Sequence, residues 1–113
     1  PGGEFKKVTD TIKVSGCPAS MTNVDLTPLW DSIPGHTNQM ANSGTATHVI
    51  GMFFSDSSET VESLYNSGVA TKFTLANGAV DIPFIQSYRH GLGNERAQPG
   101  SMIFNGTFAF TYQ

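Results

Sequence analysis

Several features that most soluble proteins of this size carry are scarce in the sequence. Charged residues make up only 13% of the 113 residues, and the net charge of −3 comes from scattered positions without any cluster of Lys and Arg. This argues against nucleic acid or an acidic membrane as the main partner. No apolar run approaches the roughly 18 residues of a membrane-spanning helix. No signal peptide is recognisable, so an exported protein would be represented here by its mature form.

Cysteine is almost absent, because Cys17 is the only one. A disulfide within the chain is therefore excluded. Of the three roles open to this residue, we favour a small buried hydrophobic side chain over a bond to another chain or to a segment not represented here. A catalytic thiol ranks last, because no histidine is identifiably placed to activate it.

Abundant residues point to a β-rich protein. The chain contains 12 Gly and many Thr, Ser and Asn, a composition suited to an all-β protein working outside the cytoplasm. The length predicts a single domain that buries roughly two-thirds of its unfolded surface. That is enough for one core with little stability to spare.

The last segment, residues 101–113, carries the clearest alternation. Successive side chains of a strand point to opposite faces, so this pattern predicts a strand with one aromatic and one polar face. Four exposed rings on a chain terminus would be unfavourable, and we therefore expect another element to cover them. The aromatic face comprises Phe104, Phe108, Phe110 and Tyr112.

Alternation also predicts strands in the first half of the chain. Val8, Ile12 and Val14 share one face near the N-terminus, opposite a polar face, although Asp10 interrupts the apolar side. A second run, residues 23–29, places Val24 and Leu26 together, and Pro28 is expected to end its pairing. Residues 30–47 are rich in Pro, Gly, Asn and Ser and predict a long loop.

The second half begins with a run that is apolar on both faces, residues 49–54, which indicates a strand covered on both sides. Residues 57–65 fit either a short helix or, slightly better, an ordered loop. Residues 71–84 then predict a hairpin around Asn77-Gly78, with Leu75 opposite Val80 and Phe73 opposite Ile82. That register gives one apolar face, consisting of Val69, Phe73, Leu75, Val80, Ile82 and Phe84.

A polar loop over residues 88–100 is expected to lead back to the terminal strand. Five or six strands in about 100 residues, with turn signals between them and no repeat, indicate a small antiparallel β-sandwich.

Catalytic and metal-binding patterns find little support. The three histidines, His36, His48 and His90, lie in separate segments and none has paired-ligand spacing. Glu59 and Glu62 could share one helical face, but such carboxylates are usually surface charges. We therefore expect neither an enzyme nor a bound metal or cofactor.

Several segments carry apolar and turn patterns that belong together. They are residues 11–16, Cys17 with residues 23–26, residues 73–78, residues 83–88, and Pro99-Gly100 with the aromatic alternation of residues 104–112. In combination they resemble pilin subunits of bacterial chaperone–usher fimbriae, over about two-thirds of the chain. Two departures stand out: the cysteine that usually pairs with the first is missing, and the region between Leu26 and Thr45 is short where another full strand is expected.

The resemblance implies an incomplete immunoglobulin-like sandwich that is completed by a donor strand. Residues 1–16 would form the N-terminal extension and residues 17–113 the pilin-like domain. A periplasmic chaperone would first fill the groove beside the C-terminal strand, and the extension of the next subunit would replace it. Val8, Ile12 and Val14 would then enter a neighbour, and the four terminal aromatic residues would form one wall of the groove or the core beneath it.

Further expectations follow from the same resemblance. The subunit would reach an extracellular fimbrium via the periplasm and an outer-membrane usher, its partners there would be neighbouring pilin subunits, and a host receptor is a further candidate partner.

Two alternatives stay open at this level. The N-terminal strand could pair within its own domain, which would make the aromatic residues ordinary core. The chain could instead be a glycan-binding adhesin or lectin-type module of the same sandwich class, with aromatic and polar groups that stack on and hydrogen-bond a sugar. The candidates for that role are Trp30, Tyr65, Tyr88, Arg89 and His90.

Overall fold

A computed structural model describes residues 3–91 and 98–113. Within these ranges the chain is all-β and contains no α-helix, and a single 3-10 turn covers Val61–Ser63. No helix in the described ranges is therefore long and apolar enough to cross a membrane. The strands are β1 (Glu4–Val14), β2 (Asn23–Trp30), β3 (Ser32–Ile33), β4 (His36–Ala41), β5 (Val49–Phe54), β6 (Thr71–Thr74), β7 (Val80–His90) and β8 (Gly106–Tyr112).

The strands form two antiparallel sheets, as the predicted sandwich class requires. The larger sheet has the order β1-β7-β5-β4-β3 and the smaller has the order β6-β2-β8. β1 lies on β7 over nearly its whole length, from Glu4 opposite Arg89 to Val14 opposite Val80. β8 lies on β2, from Gly106 opposite Trp30 to Tyr112 opposite Val24.

One core lies between the two sheets. Val24 and Leu26 of β2 are fully buried in it, together with Ile82 of β7, which confirms the alternation predicted for those strands. The run predicted to be covered on both sides is confirmed as β5, which pairs with β4 and β7 and is almost wholly buried. Tyr65, next to the 3-10 turn, fills the core with its ring and donates its hydroxyl to the Pro83 carbonyl oxygen at 2.8 Å.

The predicted hairpin forms only at its turn. Asn77 and Gly78 adopt positive φ values of 55° and 74°, and Ala76 pairs with Ala79. Beyond that bridge the two arms separate, so the predicted pairing of Leu75 with Val80 and of Phe73 with Ile82 is wrong. β6 joins β2 in the smaller sheet, and β7 joins β1 and β5 in the larger one. Each arm finds longer partners this way while its apolar face stays turned towards the core, except at Val69, which is exposed.

The long loop predicted for residues 30–47 is also wrong, because β2 runs to Trp30 and a hairpin of β3 and β4 follows, turning at Gly35 with a φ of 81°. Pro28 ends pairing on one side only. Its carbonyl accepts the Gly68 N–H at 2.7 Å, so the edge lacking an N–H faces β6, where pairing stops at Leu26. On the other edge the ladder with β8 passes Pro28 without interruption.

The polar loop begins later than predicted. Residues 88–90 belong to β7: Tyr88 and Arg89 pair with both β1 and β5, and His90 pairs with β5, so the loop can start only after His90. Part of that predicted loop, residues 92–97, lies outside the described residues. Between residues 57 and 65 the path is irregular apart from the 3-10 turn and an isolated bridge from Leu64 to Phe54, which agrees with the slight preference for an ordered loop.

Candidate functional site: an apolar groove between two sheet edges

A groove lies between β1, at the edge of the larger sheet, and β8, at the edge of the smaller one. In the part of the chain that the structure describes, β1 pairs only with β7 and β8 only with β2. Each strand therefore keeps one edge without a neighbour. The side chains between these two edges come from both sheets, and many of them are aromatic.

The groove has two adjoining lobes that share Gln86, Tyr88 and Phe104. The inner lobe is a cavity of about 240 Å³ and the outer lobe one of about 340 Å³. The inner lobe is lined by Asp10, Ile12, Trp30, Met40, Phe53, Phe84, Gly106 and Phe108 in addition to the shared residues. The outer lobe adds Lys6, Val8 and Met102.

The inner lobe is floored by rings in contact with one another. Phe53 and Phe84 stack with their centroids 5.1 Å apart, and Trp30 tilts against Phe53 at the same distance. Phe108 meets Phe84 edge-on at 5.0 Å. At the junction of the lobes Tyr88 lies 5.1 Å from Phe104. Such pairs favour a rigid apolar surface, and these rings are held in place by strands of both sheets.

The four residues predicted for the groove wall occupy different positions. Phe104 and Phe108 line the groove. Phe110 packs against the core, half-buried, and Tyr112 is 43% exposed at the far end of β8. Phe108 is 39% exposed although its ring points towards the other sheet, because no strand lies beyond β8 among the described residues.

The three residues predicted for the donor strand lie on the inner face of β1. Val14 is buried, Ile12 packs against the core and lines the inner lobe, and Val8 lines the outer lobe. In the single chain β1 thus pairs with its own β7, and these side chains form the wall of the groove opposite β8. Their entry into a neighbour stays a prediction.

A few polar groups interrupt the apolar lining. The Tyr88 hydroxyl donates to Gln86 Oε1 at 2.5 Å, and burial raises the pKa of Tyr88. Asp10 accepts the Thr11 N–H at 2.8 Å. Thr11 lies opposite Pro83 of β7, and the Pro83 carbonyl points to the Tyr65 hydroxyl and away from β1. The Thr11 N–H therefore points to the open edge of β1.

Behind the groove, a charged cluster on the outer face of the larger sheet fastens β1 to β7. Lys7 of β1 and Arg89 of β7 both pair with Glu59, at 3.0 and 2.5 Å. Burial of the Glu59 carboxyl by itself raises its pKa, but hydrogen bonds with Lys7, Glu4 and Arg89 outweigh that effect and hold the pKa below its ordinary value of 4.5. Ser87 donates to Glu4 and accepts from Arg89, which also lies over the Phe54 ring.

Asn42 positions the segment that enters the groove ahead of β8. Its Oδ1 accepts the N–H groups of Gly44 and Ile103, and its Nδ2 donates to the carbonyls of Ala46 and Ser101. Phe104 follows directly, so this one amide side chain helps to set where the aromatic lining begins.

Other predicted candidates lie apart from one another. Cys17 is half-buried against the core with a free thiol, and the His90 ring lies tilted against the Phe5 ring. Of the glycan-binding candidates, Trp30 and Tyr88 line the inner lobe, Tyr65 is buried in the core and Arg89 is ion-paired on the outer face. No group of three His, Cys, Asp or Glu side chains suited to a metal ion occurs among the residues described.

The sequence interpretation missed part of the groove. Gln86 and Tyr88 share the parity of Ile82 and Phe84, so extending that alternation by two steps would have included them. Met40 carried no comparable signal, because its strand was taken for a loop. No model of a known protein family matches the chain, and no curated protein matches it significantly.

Proposed function

We propose that the chain is a structural subunit of a bacterial surface fimbria that polymerises by donor-strand complementation. The observation that carries this proposal is the apolar groove between the open edges of β1 and β8. It is lined by rings of both sheets, and Phe108 at its wall is 39% exposed.

An extended strand is the occupant that this shape and chemistry suit. The open edge of β8 offers backbone N–H and C=O groups in the spacing of a sheet, and the lobes offer room for alternate side chains. Strand addition uses both features, because the backbone gives affinity and the pockets give specificity. An uncovered apolar edge is also an aggregation hazard, which a partner strand removes.

The proposed assembly pathway keeps this groove covered at each stage. In the periplasm a chaperone fills the groove, the usher at the outer membrane receives the complex, and another subunit supplies the final strand in the extracellular fibre. The resemblance described above supports this order, and the adhesive role of the fibre belongs to the same proposal.

The donor is proposed to be an extended segment of another subunit. If that segment is β1, it must leave β7, because Val8, Ile12 and Val14 now face their own core. Detachment would uncover Ile82, which is fully buried, and would break the Glu59 ion pairs with Lys7 and Arg89. A donor role for β1 therefore requires exchange between subunits.

Peptide binding tests the receiving role. A synthetic peptide of roughly eleven residues, the length of β1, with alternating valine and threonine should bind the purified chain. It should raise the melting temperature and suppress self-association in size-exclusion chromatography. A peptide of the same composition with its valines in one block is the control. Equal responses to both, or no response to either, would overturn the proposal.

A cysteine lock tests whether β1 is the donor. Lys13 and Asp81 are exposed partners on β1 and β7, and directly opposite residues of an antiparallel pair lie within disulfide reach. In a Cys17→Ser background, oxidised Lys13→Cys/Asp81→Cys protein should still bind the alternating peptide. If β1 is the donor, the lock stops fibre growth in electron micrographs and a reductant restores it. Growth of the locked protein at the normal rate assigns the donor to another segment.

A further inference from the structure

The β1 wall of the groove alternates charged and apolar side chains. Lys6 and Val8 line the outer lobe, and Asp10 and Ile12 line the inner lobe. Four residues of strand separate the two charges by roughly 13 Å. A strand lying in the groove would therefore meet a cation at one end and an anion further along, with an apolar position between them.

Both charges lack a counter-charge in the described part of the chain. Lys7, the neighbour of Lys6 on the opposite face, pairs with Glu59, whereas Lys6 has no ion pair. The carboxylate of Asp10 has one hydrogen bond, from the Thr11 N–H, and no basic partner. Water therefore solvates the two groups while the groove is open.

Covering the groove changes this situation. A strand laid over the lobes would displace water from Lys6 and Asp10, and an unpaired charge in an apolar site is strongly unfavourable. A charge of opposite sign on the incoming strand removes that penalty and penalises partners with the wrong charge. The apolar lining sets how tightly a strand binds, and the two charges set which strand binds.

We propose that the groove selects a donor strand with an acidic residue facing Lys6, a basic residue facing Asp10 and an apolar residue midway between them. This inference rests on the proposed function and specifies its partner. The occupant is an extended segment of another chain in which the two charges are four residues apart. The order of the charges along that segment then decides the direction in which it runs.

Asp10 has a second effect on the site of strand addition. It is an inward-facing charge on an edge strand, and it occupies the Thr11 N–H that a new neighbour of β1 would need. Both features disfavour pairing at the β1 edge. The incoming strand is thereby directed to β8.

Four synthetic peptides test the selection, using the full chain and a shared alternating scaffold. The peptides differ only at two inward-facing positions that are four residues apart. These positions carry Glu and Lys in the first peptide, Lys at both in the second, Glu at both in the third and Ser at both in the fourth. For the unaltered protein we expect the Glu/Lys peptide to bind about tenfold more tightly than the Ser peptide, and both like-charged peptides to bind less tightly than the Glu/Lys peptide. Isothermal titration calorimetry at low and high salt gives the affinities, and salt should reduce the differences.

Charge reversal in the protein should change the ranking. Lys6→Glu should favour the two-Lys peptide and Asp10→Lys the two-Glu peptide. Asp10→Asn keeps an acceptor for the Thr11 N–H and should lose only the preference for a basic residue. This variant replaces Asp10→Lys in the test if Asp10→Lys fails to fold. Equal affinity of every protein for all four peptides would overturn the charge selection and leave the proposed function intact. Absence of binding by any peptide would overturn both.

Discussion

Phe84 and Phe108 are in contact, yet they differ in how far they are exposed to solvent. Their rings meet edge-on at 5.0 Å across the space between the sheets. Phe84 is 8% exposed and Phe108 is 39% exposed. The two side chains are identical, so the difference comes from the strands that carry them.

Those strands differ in their neighbours. β7, which carries Phe84, pairs with β1 on one edge and β5 on the other. β8, which carries Phe108, pairs with β2 and, in the described ranges, with nothing beyond it. A ring on the inner face of an edge strand is covered from below but remains open from the side. Phe84 is therefore covered by its own sheet and forms the floor of the groove, whereas Phe108 forms a wall that the described strands leave partly open.

The largest expected effect separates these two rings by stability. Phe84→Ala should lower the free energy of unfolding by about 3–5 kcal/mol, the usual range for removal of a buried aromatic ring. Phe108→Ala should lower it by only about 1 kcal/mol. Urea unfolding followed by circular dichroism measures both. Equal losses would mean that the open edge of β8 has no energetic consequence.

The next effect concerns binding. Phe108→Asp should weaken binding of the alternating peptide at least about tenfold, because a strand covering the groove would bury an unpaired carboxylate. Thr107→Asp, one position along on the other face of β8, should bind normally and is the matched control. Calorimetry of the two variants compares them directly. Unchanged affinity of Phe108→Asp would remove Phe108 from the proposed site.

Much of this contrast follows from local patterns in the sequence. The alternation in residues 101–113 correctly predicted a strand over Gly106–Tyr112, but residues 101–105 precede that strand. Parity alone decides which face a strand side chain occupies, and the expected cover over the aromatic face stays a prediction. The alternation of Val8, Ile12 and Val14 likewise predicted their common face. Periodicity also identified β5, whose two faces are both apolar.

Strand partners were harder to predict than strands. The Asn77-Gly78 turn favours a hairpin, but its arms part because β7 finds β1 and β5, which are distant in sequence and longer than β6. Nothing in the sequence of residues 71–84 indicates that β1 and β5 displace β6 as partners of β7. The β3–β4 hairpin was missed for a related reason, because its short polar strands depend on β5 for their cover. The groove depends both on the faces of its strands, which periodicity predicts, and on the pairing of strands distant in sequence, which it does not. Only the aromatic half of the groove was therefore predictable.

A smaller effect tests how Phe84 is covered from its other side. The Tyr65 ring lies 5.5 Å from the Phe84 ring, and its hydroxyl is the partner of the Pro83 carbonyl. Tyr65→Phe keeps the ring contact and removes the hydrogen bond of the buried Tyr65 hydroxyl to the Pro83 carbonyl, so we expect a loss of about 1 kcal/mol. Thermal unfolding measures it, and peptide binding should be unchanged. A loss in binding would show that Tyr65 also shapes the groove.

The smallest effect concerns the ion pairs that hold the edge strand β1 on β7. Glu59 joins Lys7 of β1 to Arg89 of β7, and its pKa in the folded protein is depressed. A depressed carboxyl pKa contributes stability that is fully present above the unfolded value near 4.5 and is lost as the pH falls through the folded value. At pH 7, Glu59→Gln should therefore be less stable by about 1 kcal/mol, and the difference should shrink as the pH falls below about 4.5. Glu62→Gln, on the nearby 3-10 turn, removes a carboxylate that has no ion pair among the described residues, and it is the control at pH 7. Parallel stability curves for Glu59→Gln and the unaltered protein, down to the acid unfolding limit, would show that β1 is held on β7 by its backbone ladder and apolar face alone.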